Sequence, residues 1–422
     1  GCNGIFDDLA INPNQPSMGA YFTSPSAVND AVMTMYGYMS TQRCLGASGS
    51  KTTIIRSDEA SSNSDYGKPG MFGADLNASY YTIEQPYTLM YTTASQASYI
   101  IETAPSVDFS GNEELRNAYM GEAYFWRAFA HYYLLINFRN ISPIRQMPRN
   151  GDDYVRPLEK PAAVWDFIQE DLAHAKELLP VKGYWDSKNA GRVTKASAAA
   201  LLGKAYLYRS GIEQYYGEDK TTFYSEAAKE FGDVIDGKYG TYDLTKNYAD
   251  NFDVAHENNE ESILEFLGDV DNAGFNPGLA TSGLAFDSRG LMLPGAGVGY
   301  EGVVHNWLYN AFVNSVDKDG YTDIRMFSTM IFNDLDASIH LRNDAGGNPV
   351  RLEGPGGYKW EELYPAKNGK EGFATVSNPL AHSFKAGIRK GIDCSMPTQT
   401  EADGTPKLVG VGAGVKEYVY NQ

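Results

Sequence analysis

The chain has 422 residues, enough for two or three domains or for one large helical domain with long insertions. Lys and Arg number 35 against 53 Asp and Glu, a net charge of −18 that repels phosphate backbones and argues against a nucleic-acid partner. No apolar run reaches the length of a membrane-spanning helix.

The 30 tyrosines are a surplus of side chains that join a flat apolar face to a polar tip, and such a surplus suits a recognition surface. Taken one at a time, each tyrosine is better explained as half-buried packing. Cys2, Cys44 and Cys394 have no metal-ligand spacing. A Cys44–Cys394 disulfide is left open. Gly1-Cys2 looks like the end of a bacterial lipobox, whose cysteine is lipidated, and Asn3 to Gln15 is polar enough to be a tether. The alternative is that Cys2 is incidental.

A first helix is predicted within Gly19–Leu45, entered at Ser24-Pro25, with Ala27, Ala31, Met35 and Tyr38 facing inward. Gly46 to Gly73 has no period and reads as a long functional loop. A second helix, Asn77–Ala104, carries Tyr80, Tyr87, Tyr91, Ala94 and Ala97. The third, Ser110–Phe138, is the centre of the chain. Ser110 and Glu113 form a capping-box pattern at its start. Leu115, Tyr119, Glu122, Trp126, Phe129, Tyr133 and Ile136 form one apolar row, and Ala118, Gly121, Phe125, Ala128, Tyr132 and Leu135 another. Only a strip of Arg116, Arg127 and His131 is left polar, so this helix is expected to be buried on more than one side. Its lone acid, Glu122, is expected to pair with an arginine, Arg127 or one from a neighbouring helix, rather than to act as a catalytic acid.

Ile141 to Pro157 is a proline-punctuated connector. A fourth helix runs from Pro161 to Pro180 with a Val164, Phe167, Ile168, Leu172, Leu179 stripe. A fifth starts at a Thr194 cap, and Ala196, Ala199, Ala200, Gly203 and Ala205 allow close helix contact. A sixth spans Phe223–Gly237. Gly121-x-x-Tyr124 with Ala163-x-x-x-Phe167 is echoed by Gly203-x-x-Tyr206 with Ala227-x-x-x-Phe231, the small-then-aromatic spacing of tetratricopeptide repeats. The fold class is therefore mainly α, a tetratricopeptide-like scaffold with loop and short-strand decoration. From Lys238 onward Gly, Pro, Asn and Asp punctuate the chain, and helix is expected only at Val303–Val313 and Arg325–Leu335. The organisation that follows is a tether over 1–18 and one domain over 19–422, made of scaffold (19–237, with a 46–76 insertion) and decoration (238–422).

At this point the residues resemble those of the SusD/RagB family of outer-membrane glycan-binding lipoproteins. The run Gly121-Glu122-Ala123-Tyr124-Phe125-Trp126-Arg127-Ala128-Phe129 resembles the G-E-A-x-F-x-R-A-F hallmark. Tyr87-x-x-x-Tyr91, Asp171-Leu172-x-x-Ala175, Arg192-x-Thr194-Lys195-Ala196, the Glu257–Ile263 block and Asp319-Gly320…Asp323-Ile324-Arg325 are similar to further blocks in family order. Members usually continue into one more helical segment of the R-x-A-E-x-x-L-x-Y-A-E kind, which is not found before Gln422. The resemblance implies a non-catalytic, lipid-anchored protein at the outer-membrane surface. It would bind an oligosaccharide or polysaccharide and cap a SusC-like TonB-dependent transporter that imports it.

Patterns suggestive of catalysis are weak. Gly297-x-Gly299-x-x-Gly302 lacks the flanking strand a dinucleotide site needs. Ser48-x-x-Lys51 sits in a loop, and the histidines are scattered singly. Asp317-x-Asp319-Gly320 reads as a turn before it reads as a calcium loop, so no cofactor is expected, with room left for a structural calcium. A sugar site needs flat aromatics rimmed by amides, carboxylates or guanidinium groups. The first loop supplies Asn63, Asp65, Tyr66, Phe72, Asn77, Tyr80 and Tyr81. The decoration supplies Phe275, Phe286, Arg289, Tyr300, Trp307, Tyr358 and Trp360, with Asn276 and Asp287 beside them. Glycan binding is the favoured reading. The alternatives are a peptide- or protein-binding repeat scaffold and, further off, an α-helical glycosidase.

Overall fold

The computed structural model describes residues 22–41, 44–45, 60–61, 78–79, 81–147, 155–246, 248–252, 256–266, 303–304, 306–323, 325, 330–332, 386–388, 408–412 and 415–418. Helices α1 (Pro25–Ser40), α2 (Tyr81–Thr103), α3 (Glu113–Phe138), α4 (Pro161–Leu178), α5 (Lys195–Tyr216) and α6 (Tyr224–Ile235) follow the sequence pattern closely, and α7 (Asn306–Asn314) comes later. The chain divides into one unit of residues 1–39, 87–243 and 262–266 and a second of 40–86, 244–261 and 267–422.

The first unit is a stack of antiparallel helix pairs, α3 on α4, α4 on α5 and α5 on α6, which is the mainly α, tetratricopeptide-like scaffold the pattern implies. Trp126, Trp165, Phe125, Met35, Ile100 and Ile168 are fully buried at its core. Helix α3 is enclosed on all sides from Ala118 to Leu135 apart from half-buried positions such as Tyr124 and Phe129. Of the expected polar strip only Arg116 stays partly exposed; Arg127 and His131 are buried, because neighbouring segments bring them polar partners. The expected Ser110 cap is also displaced. Asn112 accepts from the Leu115 N–H at 3.1 Å and caps α3, whereas Ser110 is held in a tight turn with φ 52° and its N–H donates to Asp108.

The other helix signals act as written. Ser24 accepts from Ala27 N–H ahead of Pro25, and Thr194 with Ser197 closes a reciprocal capping box on α5. Gly217 ends α5 at φ 70°, a conformation glycine adopts without steric cost. On α1 the buried stripe is Val28, Ala31, Val32, Met35, Tyr36 and Met39, one position round from the expected face, so Ala27 and Tyr38 are only half-buried. The repeat echo is realised unequally. A Cβ on Gly203 would lie 2.8 Å from Phe231, so the glycine admits that ring as the spacing implies. Gly121 meets Leu179 instead, because Phe167 lies against the Arg127 and Arg145 guanidinium groups at 5.0 and 4.4 Å.

In the second unit, β1 (Ala60–Ser61), β2 (Val303–Val304), β3 (Met330–Phe332) and β4 (Ala386–Ile388) form an antiparallel sheet in the order β1-β2-β4-β3. Ala60 faces Val304, Val303 faces Gly387, and Ile331 faces Gly387. Strands β5 (Leu408–Gly412) and β6 (Val415–Tyr418) form a hairpin with a register shift between Gly410 and Gly412. Two helix expectations change here. Met330–Phe332 is strand rather than the middle of an Arg325–Leu335 helix, since pairing with β4 uses backbone groups a helix would consume. Residues 303–304 are strand, so the helix there starts only at Asn306. Asp317 forms the expected turn, accepting from the N–H groups of Asp319 and Tyr321 at 2.9 and 3.0 Å. Cys44 is a buried free thiol, so the Cys44–Cys394 pairing left open above is not formed.

Candidate binding site

Cys2, Asn63, Asp65, Tyr66, Phe72, Asn77, Tyr80, Phe275, Phe286, Arg289, Tyr300, Tyr358 and Trp360 lie outside the described residues, as do Asn276 and Asp287. Trp307 sits on the second turn-forming position of α7, and Tyr81 begins α2. What the structure brings together lies in the helical unit.

Glu122 is sealed. Its carboxylate accepts from the Tyr36 hydroxyl at 2.7 Å and from Arg192 Nε at 2.9 Å, with Arg192 Nη2 on its second oxygen. Arg192 also donates to Asn29 and Asn189, and it lies over the Trp185 ring at 4.2 Å. Tyr36 Oη in turn accepts from Val193 N–H at 2.9 Å. Burial pushes the Glu122 carboxyl up against the opposing pull of Arg192. Nothing is left for a substrate to reach. The expected ion pair exists, but its partner is Arg192 and not Arg127, which is engaged elsewhere.

Arg127 grips Asp171 bidentately at 2.8 and 2.7 Å and donates to Ser98 and to the Arg145 carbonyl. One turn on, His131 Nδ1 donates to the Arg127 carbonyl at 2.8 Å, and Nε2 accepts from Ile144 N–H at 2.9 Å. Both ring nitrogens are used in a neutral tautomer, and burial drives the imidazole down to about 3. This network fastens the connector after α3 onto the helices. At the other end, Arg139 and Trp165 share Glu213.

The connector fastened in this way forms one wall of an open cleft whose other wall is α2. The cleft encloses about 450 Å³ and is lined by Tyr87, Thr88, Tyr91, Thr92, Ser95, Ser142, Ile144 and Arg156. Tyr87 is 39% exposed and meets the Tyr91 ring edge-on at 4.9 Å and Phe138 at the same distance. Tyr91 accepts from Ser142 N–H at 3.2 Å, and burial pushes its hydroxyl up to about 12, so it stays protonated at neutral pH. Arg156 is tied to the wall through its carbonyl, which accepts from Ser142 Oγ at 3.1 Å. Its guanidinium makes one long bond, to the Gln146 carbonyl at 3.4 Å. Flat rings, hydroxyls and a guanidinium are the parts a polar ligand with an apolar face requires. Sequence reasoning placed Tyr87 and Tyr91 on α2 but missed this cleft. The available signal was the run Tyr87, Thr88, Tyr91, Thr92, Ser95, which repeats at helical spacing and keeps hydroxyls on one face. Arg156 gave none, because its place depends on how the connector folds back. Among the described residues no group of His, Cys, Asp or Glu is arranged to hold a metal ion.

Residues 11–207 match the profile of a SusD-like family described as starch-binding and associating with the outer membrane. The chain is 26% identical over 267 residues to a SusD-like protein of Bacteroides ovatus, a match covering 62% of this chain and 46% of that relative. It superposes on a SusD superfamily protein from Bacteroides vulgatus with a TM-score of 0.60 at 22% identity, covering 74% of this chain and 62% of the other. A laminarin-binding SusD-like protein superposes with a TM-score of 0.55 at 22% identity, over 74% of this chain and 67% of that one. These two likenesses show a shared fold. The chain spans about half the length of the curated relatives it matches.

Proposed function

We propose, on the match of residues 11–207 to a SusD-like family profile, that the protein captures a glycan at the cell surface without cleaving it. It hands the glycan to a SusC-like TonB-dependent transporter. The observation that carries the non-catalytic half is the state of Glu122. The one acid standing among the aromatics of α3 is fully buried and held by Arg192 and Tyr36, so it supplies neither general acid nor nucleophile. The family description supports carbohydrate as the ligand class and the outer membrane as the site of action. In this reading Cys2 carries the lipid anchor. The two aromatic groups around Tyr66 and Trp360 form the principal glycan platform, and any calcium is structural.

Isothermal titration against a panel of starch, laminarin and other oligosaccharides tests the proposal, with reducing ends assayed in the same samples. Saturable binding with no new reducing ends is expected, and release of reducing ends would overturn it. Trp360→Ala and Tyr66→Ala are each expected to weaken binding at least tenfold. Unchanged affinity in both variants would remove those residues from the site. Saturable binding of peptides, with no glycan bound, would replace the reading by a peptide-binding scaffold.

A further inference from the structure

Arg156 differs from every other arginine the structure describes. Each of the others holds a carboxylate oxygen at 3.1 Å or closer. Arg156 holds none among the described residues, although the chain carries 53 acids to 35 bases. Among the described residues that line the α2 cleft it is also the one that is charged, and the side chains of the other polar ones carry hydroxyls. A guanidinium presents a planar fork of donors matched to two oxygens of a carboxylate or sulfate, and it keeps its charge at any relevant pH. With no counter-charge among the described residues, it is placed to accept one from a ligand.

We propose that this cleft is a second saccharide subsite that selects an acidic sugar unit, a uronate or a sulfate ester, with Arg156 reading the anion. The exposed ring of Tyr87 receives the sugar's apolar face, and Thr88, Thr92 and Ser95 meet its hydroxyls. Tyr91, fixed by Ser142, holds the floor. The volume of about 450 Å³ suits a short segment of a chain rather than a polymer strand end to end. The net charge of −18 repels such a ligand at long range, so selectivity arises at contact and not in the approach. The inference rests on the glycan-binding reading and adds to it a ligand chemistry that starch and laminarin, both neutral, do not have.

The test titrates the full chain with four probes: malto-oligosaccharide, laminari-oligosaccharide, oligogalacturonate and a sulfated galactan oligosaccharide. Wild type, Arg156→Gln and Arg156→Lys are compared. The expected result is that wild type prefers one or both acidic probes, and that Arg156→Gln lowers their affinity about tenfold or more while leaving the neutral probes unchanged. Arg156→Lys keeps the charge without the fork and falls between. The acidic probe that responds tells uronate from sulfate. Glycan binding with no acidic preference, or with a preference that survives Arg156→Gln, overturns the subsite and leaves the glycan reading standing. No binding of any probe, or of the wider panel, overturns the glycan reading and the subsite with it. Near-unchanged unfolding of Arg156→Gln shows that the loss is one of contact.

Discussion

Arg192 and Arg156 are the same side chain in opposite situations within one helical unit. Arg192 has its counter-charge in the fold: Glu122 takes two of its donors, Asn29 and Asn189 another, and the side chain is 4% exposed. Arg156 stands in an open cleft, and among the described residues its guanidinium makes one long bond, to a carbonyl. The difference teaches that the role of a guanidinium is set by where its counter-charge lies. Supplied from within, the group is structural, and removing the partner strands a buried charge. Left unsupplied, the group costs the fold little and remains available to a ligand.

The largest effect expected from breaking this comparison is at Glu122→Ala. It leaves Arg192 uncompensated in the core, and about 3–5 kcal/mol of stability is expected to be lost in urea unfolding. A loss below about 1 kcal/mol would mean that the pair is not sealed. His131 gives the next effect and sharpens what burial alone does. Its folded value of about 3 lies below the 6.5 of an unperturbed imidazole, so the unfolded chain takes up the proton first. Stability is therefore complete above the unfolded value and falls as pH drops, by about 2 kcal/mol between pH 6.5 and 5. His131→Gln is expected to flatten that slope, measured by unfolding across the window. Asn112→Ala removes the cap of α3 and is expected to cost about 1 kcal/mol, whereas Ser110→Ala, at a residue outside the helix, should cost less. Smallest of all is Arg156→Gln, expected within about 0.5 kcal/mol of wild type in the same assay.

How much was legible in the sequence varied with the range of the forces involved. The six helices of the first unit, the Ser24-Pro25 entry, the Thr194 box and the Gly203–Phe231 contact were readable, since each follows from spacing along a single helix or from a local cap. The cap of α3 was misassigned by two residues because Asp108 binds the Ser110 N–H and folds the preceding residues into a turn. That Glu122 pairs with an arginine was legible, but not which one: Asp171 on α4 takes Arg127, and Arg192, just ahead of the Thr194 cap of α5, takes Glu122. In the candidate site, α2 was located and the tyrosines on it were noted, but the connector wall that makes them a cleft was not.

Helical periodicity and small-residue spacing are written along the chain, and they set out the helical scaffold, its crowded central helix and the likeness of residues 11–207 to a SusD-like family. What tertiary structure added is which arginine each acid holds, that His131 clamps the connector as a neutral ring, that residues 330–332 pair as strand, and that Arg156 meets no carboxylate among the described residues. The physical reason is that an ion pair or a sheet register is settled by distance through space, and Arg192 reaches Glu122 from 70 residues further along the chain.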